Sequence, residues 1–166
     1  MKRLILTRHA KSGWENLEHT DFQRTLTDRG FEACGLIGNW LLSKNYIPGE
    51  VFSSTATRCI QTWENINTRL NCSAKISYNN DLYHSSPNMI LNCLNSASTD
   101  TVFLTAHNPG IGEFAEKICE TPPSHYRFLG YPSGATTVVD FNISHWRDAK
   151  FSSGNLQDFI IPSELK

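Results

Sequence analysis

The sequence predicts an α/β fold of three layers, an α/β/α sandwich with a mainly parallel central sheet. Short runs rich in apolar and β-branched residues alternate along the chain with longer stretches of helical periodicity. Such alternation is typical of βαβ units, whose crossover helices cover both faces of a parallel sheet. The length of 166 residues is that of one domain, which has about 100–200 residues. We therefore expect a single domain over residues 1–166.

Six short runs predict the strands. The first, from Leu4 to Thr7, lacks a helical period and is followed at once by Arg8 and His9, which favours a buried parallel strand. The other runs are bounded by polar residues, proline or glycine. In chain order, the predicted strands are residues 4–7, 51–53, 75–78, 101–105, 135–141 and 156–161.

Four stretches predict helices between these strands. A threonine at position 25 or 27 offers the N-cap of the first helix. Ser86 before Pro87, and Asn108 before Pro109, each have the form of an N-cap followed by the first helical residue. The helices are expected to run to about residue 44, over about 56–70, from 87 through 94, and from 109 to about 119. The apolar or aromatic side chains that we expect in the core of the first two helices are Phe31, Cys34, Ile37, Trp40, Leu41, Trp63 and Ile66.

The charge balance excludes several classes of partner. The chain has 15 Lys and Arg against 16 Asp and Glu, a net charge of −1. It therefore has no overall positive field that would attract nucleic acid or an anionic membrane. Any site for an anion must be a local cluster of cationic side chains.

The cysteines and the apolar runs indicate the compartment. The five cysteines are odd in number, scattered and without a C-x-x-C pair, which argues against a disulfide framework or a structural zinc site. The N-terminal apolar run is too short for a signal peptide, and no stretch reaches the roughly 20 apolar residues of a membrane span. We therefore expect a soluble, cytoplasmic protein with reduced thiols.

Two histidines occupy matching positions at strand ends. His9 follows the first predicted strand, and His107 follows the strand at 101–105. Ligands of parallel sheets bind beyond the carboxyl ends of the strands, although a histidine there can also simply satisfy a backbone group. Arg8 precedes His9, and Arg58 falls in the first turn of a helix. A cation there interacts unfavourably with the helix dipole, and a bound anion would offset that cost. These four side chains together predict a phosphate pocket, because arginine matches phosphate oxygens in a bidentate way.

Five blocks follow one another along the chain: RHAKS at 8–12 with Trp14, RTLTDRG at 24–30, SSTATRCIQT at 53–62, DLYH at 81–84 and HNPGI at 107–111. In this order they resemble the blocks of the histidine phosphatase (phosphoglycerate-mutase-like) superfamily, and most closely those of its small bacterial SixA-type phosphohistidine phosphatases. The resemblance covers nearly the whole chain and implies a phosphoglycerate-mutase-like fold. Two positions depart from the pattern: Ala106 replaces a glycine, and Lys11 stands where larger members often have glutamate.

The resemblance implies a role for each matching residue. His9 matches the nucleophile that takes the phosphoryl group onto an imidazole nitrogen. Arg8 and Arg58 match the arginines that hold phosphate oxygens, and His107 matches the second histidine, which stabilises charge during transfer. The implied reaction needs no metal or other cofactor, since cationic side chains stabilise the transferring group.

Other contributions stay open at this point. Larger members of the family place a carboxylate general acid in the middle of the chain, where this sequence offers Asp81 or His84, and neither aligns with it. Ser12 and Trp14 are further candidates for the pocket.

The favoured function is therefore a metal-independent phosphatase that acts on phosphohistidine of a signalling protein. Little sequence separates the blocks, so we expect no inserted lid, and an open pocket suits a phosphoryl group carried on a protein. One alternative is a phosphatase for small phosphomonoesters that uses the same pocket. The other is a non-catalytic module that binds phosphate.

Overall fold

The architecture is that of a six-stranded sheet between two pairs of helices, as the alternating pattern predicts. The computed structural model describes all residues, Met1–Lys166. The strands are β1 (Lys2–Arg8), β2 (Glu50–Ser54), β3 (Lys75–Asn79), β4 (Thr101–Ala106), β5 (Thr136–Phe141) and β6 (Asn155–Ile160). The helices are α1 (Asp28–Ser43), α2 (Thr57–Leu70), α3 (Pro87–Asn95) and α4 (Gly110–Ile118).

The order of the strands brings the two histidine-bearing ends together. The order across the sheet is β3-β2-β4-β1-β5-β6, with parallel pairing from β3 to β1. β5 and β6 are antiparallel to their neighbours, so the sheet is mainly parallel, as predicted. β1 and β4 are direct neighbours, and their register pairs Arg8 with Ala106. The residues that follow, His9 and His107, therefore leave the sheet side by side.

The alternation of side chains along β1 divides the core into two layers. Leu4 and Leu6 pack with residues of α3 and α4 on one face, whereas Ile5 packs with residues of α1 and α2 on the other. α1 and α2 approach each other closely at Gly38, where a β-carbon would lie 2.7 Å from the carbonyl oxygen of Ile66. This close contact between α1 and α2 fixes the position of α2, whose first turn carries Arg58.

Two of the predicted helix caps are confirmed. Thr27, rather than Thr25, caps α1, since its hydroxyl accepts a hydrogen bond from the amide of Gly30 at 3.1 Å. Ser86 caps α3 through the amide of Met89.

Two local expectations are wrong. Asn108 does not cap α4, which begins at Gly110 with Pro109 as its N-cap residue. The Asn108 amide donates instead to the carbonyl oxygens of Gly130 and Tyr131, because those carbonyls lie next to it in the folded chain. Phe31 is 38% exposed and does not belong to the core.

None of the helices combines the length and the hydropathy that crossing a bilayer requires. All five cysteines are unpaired.

Candidate active site

A polar cavity of about 250 Å³ opens at the carboxyl ends of β1 and β4, and none of its lining residues is hydrophobic. Nine residues line this polar cavity: Arg8, His9, Lys11, Ser12, Arg24, Arg58, His107, Asn108 and Ser133. The structure therefore places around one cavity all four side chains that the sequence predicted to converge. The strand order explains this, because neighbouring parallel strands deliver Arg8, His9 and His107 to the same edge.

His9 is buried directly after β1. Its Nδ1 lies 2.8 Å from the carbonyl oxygen of Ala10, so Nδ1 carries the proton and Nε2 keeps its lone pair. Arg58 Nε donates to this Nε2 at 3.4 Å. Burial, and secondarily the charges of Arg8 and Arg58, lower the pKa of His9 to about 3. The imidazole is therefore neutral at physiological pH and has a nucleophilic Nε2.

His107 faces His9 across the floor of the cavity, with ring centroids 5.2 Å apart. Its Nε2 lies 2.8 Å from Ser54 Oγ and 3.4 Å from Cys59 Sγ. Its Nδ1 is buried without a hydrogen-bond partner. Burial, followed by the nearby His9 and Arg58, lowers the pKa of His107 to about 2, so this imidazole is neutral as well.

Asp21 connects two of the arginines of the cavity. It lies in a single 3₁₀ turn, Asp21–Gln23. Its carboxylate accepts hydrogen bonds from Arg24 Nη1 at 3.0 Å, from Arg58 Nη2 at 3.1 Å and from the Tyr83 hydroxyl. Its carbonyl oxygen accepts from Arg58 Nη1 at 2.6 Å. The Tyr83 hydrogen bond and the two guanidinium groups hold the pKa of Asp21 well below its usual range. Asp21 is therefore an ionised anchor and not a proton donor.

The remaining cations are held by different contacts. Arg8 donates from Nη1 to the Tyr131 carbonyl oxygen at 3.1 Å. Arg24 donates from Nη2 to Ser12 Oγ at 2.9 Å, and its guanidinium carbon lies 4.4 Å from the centre of a Trp14 ring. Trp14 thus orients Arg24 by a cation–π contact and does not itself line the cavity, whereas Ser12 does.

The two candidates for a general acid lie outside the cavity. Asp81 and His84 are both exposed, and neither lines it. None of the nine lining residues is a carboxylic acid. The wall therefore consists of cations, two imidazoles and neutral polar groups.

Sequence reasoning missed four lining residues, Lys11, Arg24, Asn108 and Ser133. Lys11, Arg24 and Asn108 lie inside the blocks that carry the family resemblance, so those blocks contained the signal. Ser133 lies in a Pro-Ser-Gly turn, outside those five blocks.

The geometry suits a tetrahedral oxyanion. The guanidinium groups of Arg8, Arg24 and Arg58 line the same cavity as His9, and fork-shaped donors of this kind match the oxygens of a phosphoryl group. No group of three or more His, Cys, Asp or Glu side chains lies close enough together to hold a metal ion. The cavity can thus hold a phosphoryl group against a nucleophilic nitrogen.

Comparisons with known proteins agree with this geometry. Residues 4–84 match the model of the histidine phosphatase superfamily (branch 1). A structure assigned as the phosphohistidine phosphatase SixA of Agrobacterium tumefaciens superposes with a TM-score of 0.79 at 26% identity, covering 97% of this chain and 98% of that one. A structure from Nakamurella multipartitia with the same assignment has a TM-score of 0.81 at 25% identity, covering 97% of this chain and 96% of that one.

Two curated relatives extend these matches. An uncharacterized protein of Mycobacterium tuberculosis is 27% identical over 162 residues, which cover 93% of this chain and 99% of the relative. An uncharacterized chloroplastic protein of Arabidopsis thaliana is 33% identical over 69 residues, which cover 42% of this chain and 32% of the relative. The chain thus spans about a third of the plant protein and nearly all of the mycobacterial one.

Proposed function

We propose that the chain is a member of the histidine phosphatase superfamily and a phosphatase that removes the phosphoryl group from phosphohistidine of a protein. In the first step, His9 Nε2 attacks phosphorus, the bond from phosphorus to the substrate imidazole breaks, and a bond from phosphorus to Nε2 forms. In the second step, water attacks the phosphohistidine at position 9, which releases inorganic phosphate and restores the free imidazole.

The surrounding cations stabilise the transferring group. Phosphoryl transfer depends mainly on positioning and on neutralising charge at the equatorial oxygens. Arg8, Arg24 and Arg58 provide these functions in our proposal, and His107 donates to a phosphoryl oxygen. Two of the five buried polar atoms that lack a protein partner are nitrogens of lining residues, Arg8 Nε and His107 Nδ1. A bound anion would accept hydrogen bonds from both, and an unpaired buried polar group costs about 1–3 kcal/mol.

The observation that carries the choice of substrate is the absence of a carboxylic acid among the lining residues. An alkoxide leaving group needs a proton donor at the oxygen whose bond breaks. A phosphorylated imidazole can take its proton from solvent on the other ring nitrogen and then leaves as neutral imidazole. A cavity without a carboxylic acid therefore handles a phosphorus–nitrogen bond more readily than a phosphomonoester.

The proposal includes a phosphorylated signalling protein as partner and the cytoplasm as location. The unpaired state of all five cysteines is consistent with a reducing compartment.

Steady-state kinetics test this proposal. We expect kcat/KM for an N-phosphohistidine peptide to exceed that for a phosphoserine peptide and an alkyl phosphate by at least about tenfold, which is about 1.4 kcal/mol in transition-state stabilisation. A preference for the esters by orders of magnitude would instead establish a small-molecule phosphomonoesterase. Phosphate binding without turnover of any substrate would establish a binding module.

A further inference from the structure

A second cavity, of about 340 Å³, adjoins the polar cavity and lies between α1, the loop over 121–134 and the C-terminal residues. The two cavities share Lys11 and Ser133 in their walls. We call this second cavity the basic groove, because its charged side chains are Lys11, Arg29, Arg127 and Lys166 against Glu32 alone.

The charge of the basic groove is unusual for this chain. Seven of the 15 Lys and Arg line one or both cavities, but only one of the 16 Asp and Glu does. None of the four cations of the groove has an acidic partner within 4 Å. Although the net charge of the chain is −1, the two adjoining cavities therefore form a positively charged surface that begins at the phosphoryl site.

The position of Arg29 argues against a role in stability. It is the second residue of α1, and the first turn of a helix favours acidic side chains over cations. Arg58 occupies the equivalent position in α2, where Asp21 and the anion site explain it. Arg29 has no acidic partner, so its charge is available for a ligand.

The groove fits a protein surface better than a small molecule. Lys11, Arg29 and Arg127 are exposed, and exposed cations attract an acidic chain without enclosing it. Tyr126 and Leu129, on either side of Arg127, are 86% and 75% exposed.

We propose that the basic groove binds acidic residues that flank the phosphohistidine of the protein substrate. This inference rests on the proposed function and deepens it, because it specifies the chemistry of the partner next to the phosphoryl group. Each exposed ion pair contributes a factor of about 1.4 to 5 in affinity. Three of them would give an acidic flank an advantage of about 3-fold at the low end of this range and about 100-fold at the high end.

The test uses three N-phosphohistidine peptides of equal length whose flanking residues are acidic, neutral or basic. The full-length enzyme is assayed as wild type and with Arg29→Glu combined with Arg127→Glu. Glutamate at position 29 is compatible with the first turn of α1, and position 127 is in an exposed loop. The matched control combines Arg147→Glu with Lys150→Glu, which are exposed and follow β5 at the opposite end of β1.

For the wild type and the control variant, we expect kcat/KM to be about tenfold higher for the acidic peptide than for the neutral one at about 0.05 M salt. This preference should fall towards unity at about 0.5 M salt, where exposed charges are screened. The Arg29→Glu, Arg127→Glu variant should lose the preference while keeping its kcat/KM for p-nitrophenyl phosphate.

The outcomes separate this inference from the proposed function. Equal turnover of the acidic and neutral peptides by the wild type would overturn the docking role and leave the phosphohistidine phosphatase intact. A groove variant that loses p-nitrophenyl phosphate and all three peptides equally would also overturn it, since the groove would then serve the chemical step or a small anion. Turnover of phosphoesters but of none of the peptides would overturn both.

Discussion

Asp21 does not line the cavity, yet its replacement by asparagine should slow the reaction. The carboxylate holds Arg24 and Arg58 through one charged hydrogen bond each. Asparagine keeps the shape and one acceptor oxygen, but it removes the charge and turns an amide N–H towards a cationic donor. The variant therefore loosens both arginines and leaves the backbone contact of Asp21 with Arg58 in place.

The size of the effect follows from the contacts of the carboxylate. Hydrogen bonds to charged groups contribute about 1.5–3 kcal/mol each when buried. The Asp21 side chain is 42% exposed, so solvent screening reduces this contribution, and we take about 1–2 kcal/mol for the whole perturbation. If this loss is expressed in the transition state, kcat falls about 5- to 30-fold.

Measuring both kcat and the inhibition constant for inorganic phosphate separates the positioning role of Asp21 from the effect of its charge. Removing a negative charge beside the cavity favours binding of an anion, so the inhibition constant for inorganic phosphate should stay equal or become tighter while kcat falls. Glu18→Gln is the matched control, because Glu18 is an exposed acid in the same loop whose side chain holds no cation. A kcat for Asp21→Asn equal to that of Glu18→Gln would refute the argument that Asp21 positions the arginines.

Two further predictions concern stability. The pKa values of about 3 for His9 and about 2 for His107 lie below the unfolded value of about 6.5. The contribution of these neutral imidazoles to the free energy of unfolding is therefore complete above about pH 6.5. The contribution of each imidazole decreases by about 1.4 kcal/mol per pH unit as the pH falls from about 6.5 towards its folded pKa. Between about pH 7 and pH 5, the free energy of unfolding measured in urea should therefore decrease less for His9→Gln than for the wild type. An identical pH dependence for the two proteins would contradict a buried, neutral His9. Separately, Gly38→Ala should lower the free energy of unfolding by about 1–3 kcal/mol, because the new methyl group collides with the Ile66 carbonyl. Gly35→Ala, whose methyl group would meet only the end of a flexible arginine side chain, should be neutral or stabilising, and equal losses in the two variants would refute the close approach of α1 and α2.

Local sequence patterns were sufficient to predict the sheet and the elements around it. The lack of helical period over 4–7, and the proline and glycine breaks, reflect backbone preferences that act within a few residues. The matched strand ends at His9 and His107 indicated that the two side chains meet if their strands are neighbours, and the parallel register of β1 and β4 carries both into one crevice.

The rest of the site depends on contacts between distant parts of the chain. Asp21 reaches Arg58 only because the loop after β1 folds back over the start of α2, and no periodicity describes that path. Asn108 has the local signature of a helix cap, but the carbonyls of Gly130 and Tyr131 compete for its amide. The basic groove likewise joins Arg29 to the C-terminal residues, which are far apart in the sequence.

The most direct test of the central claim is phosphoryl labelling of the enzyme at His9. Wild-type protein is quenched during turnover of a ³²P-labelled N-phosphohistidine peptide, alongside His9→Ala and the control Asp81→Asn, with folding of each checked by circular dichroism. We predict acid-labile, alkali-stable label on the wild type and on Asp81→Asn, and none on His9→Ala. Label on His9→Ala at the wild-type level would contradict the account, because the phosphoryl group would then pass through another residue.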